Sequence, residues 1–304
     1  MVLTKESLSG AYAFVPMPWD ERGSLEEQTL EDDVSYLADS AVDGLFAFDS
    51  TGEFFTVELE EYRRAVDIIV DASGDTPVQI NCTWPNQTGA LERAAYAGSR
   101  GADAVRFAFP FWETLTVDEA LEFAETLAEA AEPAPLVHYN IPRAKLVFGA
   151  DEYRQLVDRV PNVIGTKLAT DHRNTIEILA EVPELEHFVG ENHFVSMMAA
   201  GASGSYSWLG TMNPAIMSEW YQASAEGDWN RAMELQQDVW AYGRMRLETF
   251  DVHTDAGYNK IDAAVNPNIG CGVGVREPYR SATPDDPKTA RNWAEEHTPE
   301  LVEY

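Results

Sequence analysis

The chain alternates between short runs of apolar and β-branched residues and longer stretches whose apolar positions recur every three to four residues. The short runs are AYAFVPM from Ala11, GLFAFD from Gly44, VQINCTW from Val78, AVRFAFPF from Ala104, LVHYNIP from Leu136, VIGTKLA from Val163, HFVGEN from His187 and GSYSWLG from Gly204. Helical spacing covers residues 25–40, 58–72, 91–99, 117–131, 151–159 and 175–182 between most of them. Strand, helix and further strand at this repeat describe βαβ units, which form parallel sheets. Eight such strands, with no Gly-rich dinucleotide turn after the first, point to a closed (β/α)8 TIM barrel rather than an open sheet.

Beyond Pro214 the strands stop. Residues 218–225, 230–250 and 288–296 read as helices, with the loop-rich stretch AVNPNIGCGVGVREPYRSATPDDP before the last of them. The expected division is a barrel over residues 1–218, then the last barrel helix and a C-terminal helical extension over 219–304. The GCGVG segment neither follows a clear strand nor opens a helix, so it reads as a loop and not as a phosphate cradle.

Composition narrows the class. The chain has 304 residues, 45% of them hydrophobic, which is enough for a sizeable core. Against 21 basic residues stand 52 acidic ones, a formal net charge of −31. A field of that sign repels phosphate backbones and anionic lipid, so nucleic-acid and membrane partners are not expected. The acid is dispersed along helical stretches such as residues 119–132, a pattern resembling cytoplasmic proteins of salt-loving archaea, where screening relieves self-repulsion. The start MVLTKESLSG has neither the basic beginning nor the apolar run of a secretory leader, and no apolar stretch nears the roughly 18 residues that span a bilayer. We therefore expect a soluble, cytoplasmic protein. Cys82 and Cys271 are far apart and, with six scattered histidines, give no metal spacing.

Lysine is scarce, with five in the chain, yet Lys167 lies within the apolar run of NVIGTKLATDH. Taking an ammonium out of water there is unfavourable and asks for a reason. Val163, Gly165, Lys167 and Ala169 share one strand face, and in parallel barrels functional groups stand at the carboxyl ends of strands. Desolvation of an amine favours the neutral form that attacks carbonyls; a lysine paired with a carboxylate as structural glue fits the same placement. On the preceding strand Val137, Tyr139 and Ile141 share a face. A phenol beside a reactive amine can shuttle the protons of imine formation, although a core tyrosine bonded to backbone gives the same pattern. Asp49-Ser50-Thr51-Gly52-Glu53 ends the second strand, and its two hydroxyls and glycine turn offer donors to a small carboxylate or cap the next helix.

Together these stretches resemble the dihydrodipicolinate synthase and N-acetylneuraminate lyase family of class I aldolases. STGE resembles that family's G-[ST]-T-G-E motif, HYNIP its Y-N-x-P tyrosine motif and VIGTKLATD its Schiff-base lysine strand. Weaker matches follow in order at Gly101-Ala102-Asp103-Ala104, Gly190-Glu191-Asn192, Gly201-Ala202-Ser203-Gly204 and Val275-Arg276-Glu277-Pro278. The resemblance spans nearly the whole chain. It implies an eight-stranded barrel with C-terminal helices, a homotetramer, no metal, and no cofactor beyond a covalent Schiff base on Lys167. By position, Lys167 would condense with the C2 ketone of a 2-oxo acid and Tyr139 would relay protons. Ser50 and Thr51 would hold the carboxylate, Gly190 would join the substrate-binding set, and Tyr206 would lie over the imine.

The departures from the motifs bear on substrate. Asp49 stands where the motif usually has glycine. Ala144 replaces the synthases' arginine, although Arg143 is adjacent, and Phe111 and Trp112 follow Pro110 where those enzymes carry a tyrosine pair. Lysine biosynthesis is thereby disfavoured. STGEFFTVELEEY resembles 5-dehydro-4-deoxyglucarate dehydratases. PFW with YNIPRAKLVF resembles aromatic hydratase-aldolases, for whose aryl group Trp84, Phe111 and Trp112 would serve. Archaeal 2-keto-3-deoxygluconate aldolases also lack the arginine and fit an acid-rich cytoplasm. The expectation is a carbon–carbon lyase that cleaves a 2-keto-3-deoxy sugar acid to pyruvate and an aldehyde. The dehydratase, the hydratase-aldolase, the synthase and a non-enzymatic 2-oxo-acid-binding regulator are the alternatives. Arg143, Lys145 and Arg106 would each suit a phosphate or distal carboxylate but read first as surface charges; Arg143 is kept with Trp84, Phe111 and Trp112 as a specificity candidate.

Overall fold

The structure is a computed structural model and describes residues 2–304. Its strands are β1 (Gly10–Phe14), β2 (Gly44–Ala47), β3 (Val78–Asn81), β4 (Ala104–Phe107), β5 (Leu136–Asn140), β6 (Val163–Leu168), β7 (Glu186–Val189) and β8 (Gly204–Ser207). Each pairs in parallel with its sequence neighbours, and β8 pairs with β1, so the barrel closes in chain order. Each strand starts at or within one residue of its apolar run.

The helices α1 (Glu27–Ala38), α2 (Leu59–Ala72), α3 (Gln87–Arg100), α4 (Val117–Ala131), α5 (Ala150–Arg159) and α6 (His172–Glu181) form the surrounding layer. The acid-rich α4 illustrates their logic. Thr116 and Glu119 cap its first turn reciprocally, while Ala120, Leu121, Phe123, Ala124 and Leu127 bury one face and the glutamates stay outside. Helix α3 begins a full turn before its periodic stretch. Asn86 caps it, and Gly89 packs so closely under Trp84 that an added Cβ would lie 2.2 Å from the indole. The short α7 (Phe194–Ala199) and α8 (Leu209–Met212) precede α9 (Pro214–Glu226), α10 (Trp229–Thr249), α11 (Asp255–Val265) and α12 (Asp286–His297).

The barrel interior is filled by large side chains rather than left as a pore, as expected for eight strands. Tyr12, Phe46, Phe188 and Tyr206 meet there, with ring centroids 4.6–5.5 Å apart. Glycine at the start of β2 makes room for this layer: a Cβ on Gly44 would lie 2.2 Å from the Tyr12 ring. Arg106 belongs to this interior as well. It is wholly buried on β4, which corrects its reading as a surface charge; Val105 and Phe107 take the helix-facing side.

The C-terminal segment is fastened to the barrel mouth by Arg276. Its guanidinium stacks 4.0 Å from the Trp19 ring and donates to Gly23 O, Thr56 O and Glu61. Among the described residues no helix is long and apolar enough to cross a membrane.

Candidate active site

Strand register brings the two principal candidates together. Tyr139 on β5 pairs directly with Lys167 on β6, and Lys167 Nζ lies 4.4 Å from the Tyr139 ring centroid. Phe46 and Tyr206 complete an aromatic collar, with centroids 5.1 and 5.6 Å from the same nitrogen. Burial pushes the Tyr139 phenol above its ordinary range; the Lys167 cation opposes that shift without cancelling it. The phenol therefore keeps its hydrogen at neutral pH. Burial likewise pushes Tyr206 up to about 12, and its hydroxyl donates to Gln79 Oε1 at 2.7 Å.

The carboxyl end of β2 contributes a group that the sequence reading left without a role. Phe48 has φ 62°, in the left-handed region that a phenylalanine rarely occupies. The turn it makes carries Asp49 back to the barrel axis. Lys167 Nζ donates to Asp49 Oδ2 at 2.7 Å, Arg106 Nη2 donates to the same oxygen at 2.8 Å, and Asn81 Nδ2 donates to Oδ1 at 2.7 Å. Asp49 is 1% exposed, Arg106 0% and Lys167 9%. Burial opposes charge on Asp49, but Arg106, Lys167 and the Asn81 amide outweigh it and hold the carboxyl below its usual range.

The next residues, Ser50, Thr51 and Gly52, form a single tight turn. Thr51 Oγ1 is buried without a hydrogen-bonding partner among the described residues, so it has a donor to offer. Glu53 closes the turn at φ 53° and is wholly buried. It accepts from Trp19 Nε1 at 2.9 Å and from the Arg276 backbone N–H at 2.9 Å, and pairs with Lys260 Nζ at 2.6 Å. The hydroxyl loop is thus tied to α11 and the C-terminal segment.

Above Lys167 opens a cavity of about 910 Å³. Thr51, Tyr139, Gly190 and Tyr206 line it with Lys167, its outer wall carries the exposed His172, Asn192, His193 and Arg244, and the buried Asn259 borders it as well. A second cavity of about 370 Å³ is lined by Ser50, Phe54, Phe111, Tyr139 and Tyr279. Arg143 and Asp255 border both cavities and are paired with each other, Nη2 to Oδ1 at 3.1 Å.

Lys167, Tyr139, Ser50, Thr51, Tyr206, Gly190, Phe111 and Arg143 therefore converge on one barrel end. Two specificity candidates do not. Trp112 is 75% exposed and lines neither cavity, because its loop turns the indole outward with Lys145 donating to its carbonyl. Trp84 is held beneath the Arg93 guanidinium, 3.5 Å from the ring, and packs over Gly89. Asp49 and Arg106 are the residues the sequence reading missed. Arginine in a strand covered on both sides was the available signal, since such a charge requires a buried partner.

The family model described as the dihydrodipicolinate synthetase family matches residues 7–283. The chain belongs to this family. A 4-hydroxy-tetrahydrodipicolinate synthase of Methanothrix thermoacetophila is 27% identical over 263 residues, covering 85% of this chain and 88% of that one. Among solved structures, dihydrodipicolinate synthase from Aquifex aeolicus superposes with a TM-score of 0.86 at 21% identity, covering 96% of this chain and 98% of that one. N-acetylneuraminate lyase from Fusobacterium nucleatum gives 0.85 at 19% identity, covering 96% and 99%. Both share the barrel and its C-terminal helices with this family member.

Proposed function

We propose that the protein is a class I lyase that binds a 2-keto-3-deoxy sugar acid as a Schiff base on Lys167 and releases pyruvate and an aldehyde. The observation that carries this reading is Lys167 Nζ 4.4 Å from the Tyr139 ring, in a roomy cavity that the Thr51 hydroxyl side chain also lines. The Lys167 amine adds to the substrate C2 ketone, and water leaves to give an iminium. Tyr139 carries protons to and from the reacting oxygens. Loss of the C4 hydroxyl proton then breaks the C3–C4 bond. Its electrons flow into the iminium, giving the aldehyde and an enamine, which takes a proton at C3 and is hydrolysed to pyruvate. Thr51 Oγ1 and Ser50 supply hydroxyls for the carboxylate. The histidine, asparagine and arginine side chains of the outer wall suit a hydroxylated chain better than a short apolar aldehyde. A homotetramer in the cytoplasm belongs to the same proposal.

Incubation with pyruvate and borohydride, followed by intact-mass measurement, tests the reading directly. A mass increase matching a reduced pyruvyl adduct, absent in Lys167→Ala, is expected; no adduct in the parent protein rejects it. The names of relatives such as the Methanothrix protein favour a second reading, condensation of pyruvate with aspartate semialdehyde. Ala144 and Phe111 weigh against it, and turnover on that pair, compared with cleavage of 2-keto-3-deoxygluconate, separates the two.

A further inference from the structure

The floor of the site holds two cations against one anion. Arg106 and Lys167 both donate to Asp49 Oδ2, and Asn81 fixes the other oxygen. Among the described residues Arg106 has no second carboxylate: its Nε and Nη1 are buried without partners there, and its guanidinium lies 4.1 Å from the Tyr206 ring. The aromatic collar of Phe46, Tyr139 and Tyr206 leaves little solvent to answer charge at the lysine nitrogen. Asp49 is therefore the group that makes a cation tolerable there.

Imine formation leaves that charge in place. Lys167 ammonium and the C2 ketone give the iminium and one water; the ketone oxygen leaves with two of the three ammonium hydrogens, and the nitrogen is positive before and after. Only the enamine that follows bond cleavage is neutral at nitrogen. Resting on the lyase reading, we propose that Asp49 is the fixed counter-ion of the Schiff base. It stays ionised throughout and stabilises the two forms with a cationic nitrogen, ammonium and iminium, over the neutral amine and the neutral enamine. Arg106 keeps the carboxylate ionised, and the strained turn at Phe48 holds it against the nitrogen.

The test is a pyruvate titration of borohydride trapping, read by intact mass. Asp49→Asn is expected to raise the pyruvate concentration for half-maximal trapping about tenfold or more: with two cations and no anion the variant's free lysine escapes as the neutral amine, the iminium cannot, and an opposite charge in contact is worth at least that factor. Asp49→Gly is expected to show the same rise, and formate, unlike chloride at equal ionic strength, is expected to lower it by restoring a carboxylate beside Arg106. A purely structural Asp49 would reduce the plateau through loss of folded protein while leaving the midpoint alone. An unchanged midpoint in Asp49→Asn overturns the proposal, as does a midpoint in Asp49→Gly that formate does not lower. Should Asp49→Asn not fold, Asp49→Gly with and without formate decides alone. Failure of the underlying lyase reading is visible separately, as the absence of any adduct in the parent protein.

Discussion

Ionisable groups inside this barrel are handled in two ways. At the strand ends they are paired, as Lys167, Asp49 and Arg106 are. Between strand and helix they are discharged: His138 sits among Phe107, Phe109 and Phe148, bonded to the Tyr153 hydroxyl, and burial pushes it down to about 3. The unfolded chain takes up that proton as the pH falls through 6.5, whereas the folded protein does not until near 3. His138 therefore favours folding above pH 6.5, and this contribution drains away in acid. His187, pushed down to about 4 by burial, acts the same way. Burial raises Asp33 and Asp262 to about 6, and they act in the opposite sense between that value and 3.8. Comparison with His138→Phe isolates the histidine. In urea titrations the stability gap between parent and variant should move in the variant's favour by about 2 kcal/mol on going from about pH 7.5 to about pH 5; a constant gap would mean that His138 titrates normally. Tyr139 makes a cleaner chemical prediction. Tyr139→Phe keeps the ring beside Lys167 and removes the proton carrier, so kcat for cleavage should fall by a factor of about 10² or more with little change in thermal midpoint. A variant of undiminished kcat would remove Tyr139 from the reaction.

At the scale of elements, the strands were legible because parallel strands are buried on both faces and appear as bare apolar runs. The alternation around Lys167 and Tyr139 was legible for a related reason, since each strand has only two faces. Of Asp49 and Arg106, the arginine in a covered strand left a local sign but its partner did not, because a contact from the loop after β2 to β4 is a property of barrel closure. Helix α11 was hidden differently. Its buried residues include Asn259, Lys260 and Asp262 along with Ile261 and Val265, so its polar positions, satisfied by pairing, break the apolar stripe that marks other helices. The Lys260–Glu53 pair belongs to that hidden set and joins α11 to the hydroxyl loop. Glu53→Gln keeps one acceptor oxygen, enough for Trp19 or Arg276 but not both, and leaves Lys260 buried without a counter-charge. Such a loss costs about 3 kcal/mol or more, measurable by chemical denaturation. Because Ser50 and Thr51 lie on the same turn, KM should rise further than kcat falls. A stability unchanged from the parent would show that Lys260 finds another partner.

Over the whole molecule, the acid that dominates the surface is kept apart from the chemistry. Charges facing the reacting nitrogen are balanced locally by buried contacts shorter than 3 Å, whereas the net −31 is spread over helix faces. Salt acts differently on the two sets. Screening shortens to about 3 Å at molar ionic strength, enough to remove repulsion between exposed carboxylates on neighbouring turns. Buried pairs have little ion atmosphere to respond to, and surface bridges such as Arg173–Glu177, which salt weakens, contribute well under 1 kcal/mol each. Self-repulsion is therefore the larger salt-sensitive quantity, and its relief favours the folded state. The thermal midpoint should rise by several degrees between low salt and about 1 M potassium chloride, a salt chosen because it does not strengthen apolar burial as sulfate does. The concentration of pyruvate for half-maximal trapping should move much less, since Asp49 and Arg106 answer the iminium inside the barrel. A midpoint that falls with salt would mean that surface ion pairs, rather than dispersed repulsion, govern the stability of this fold. A trapping concentration that climbs steeply with chloride would place the balancing charge in solvent instead of on Asp49.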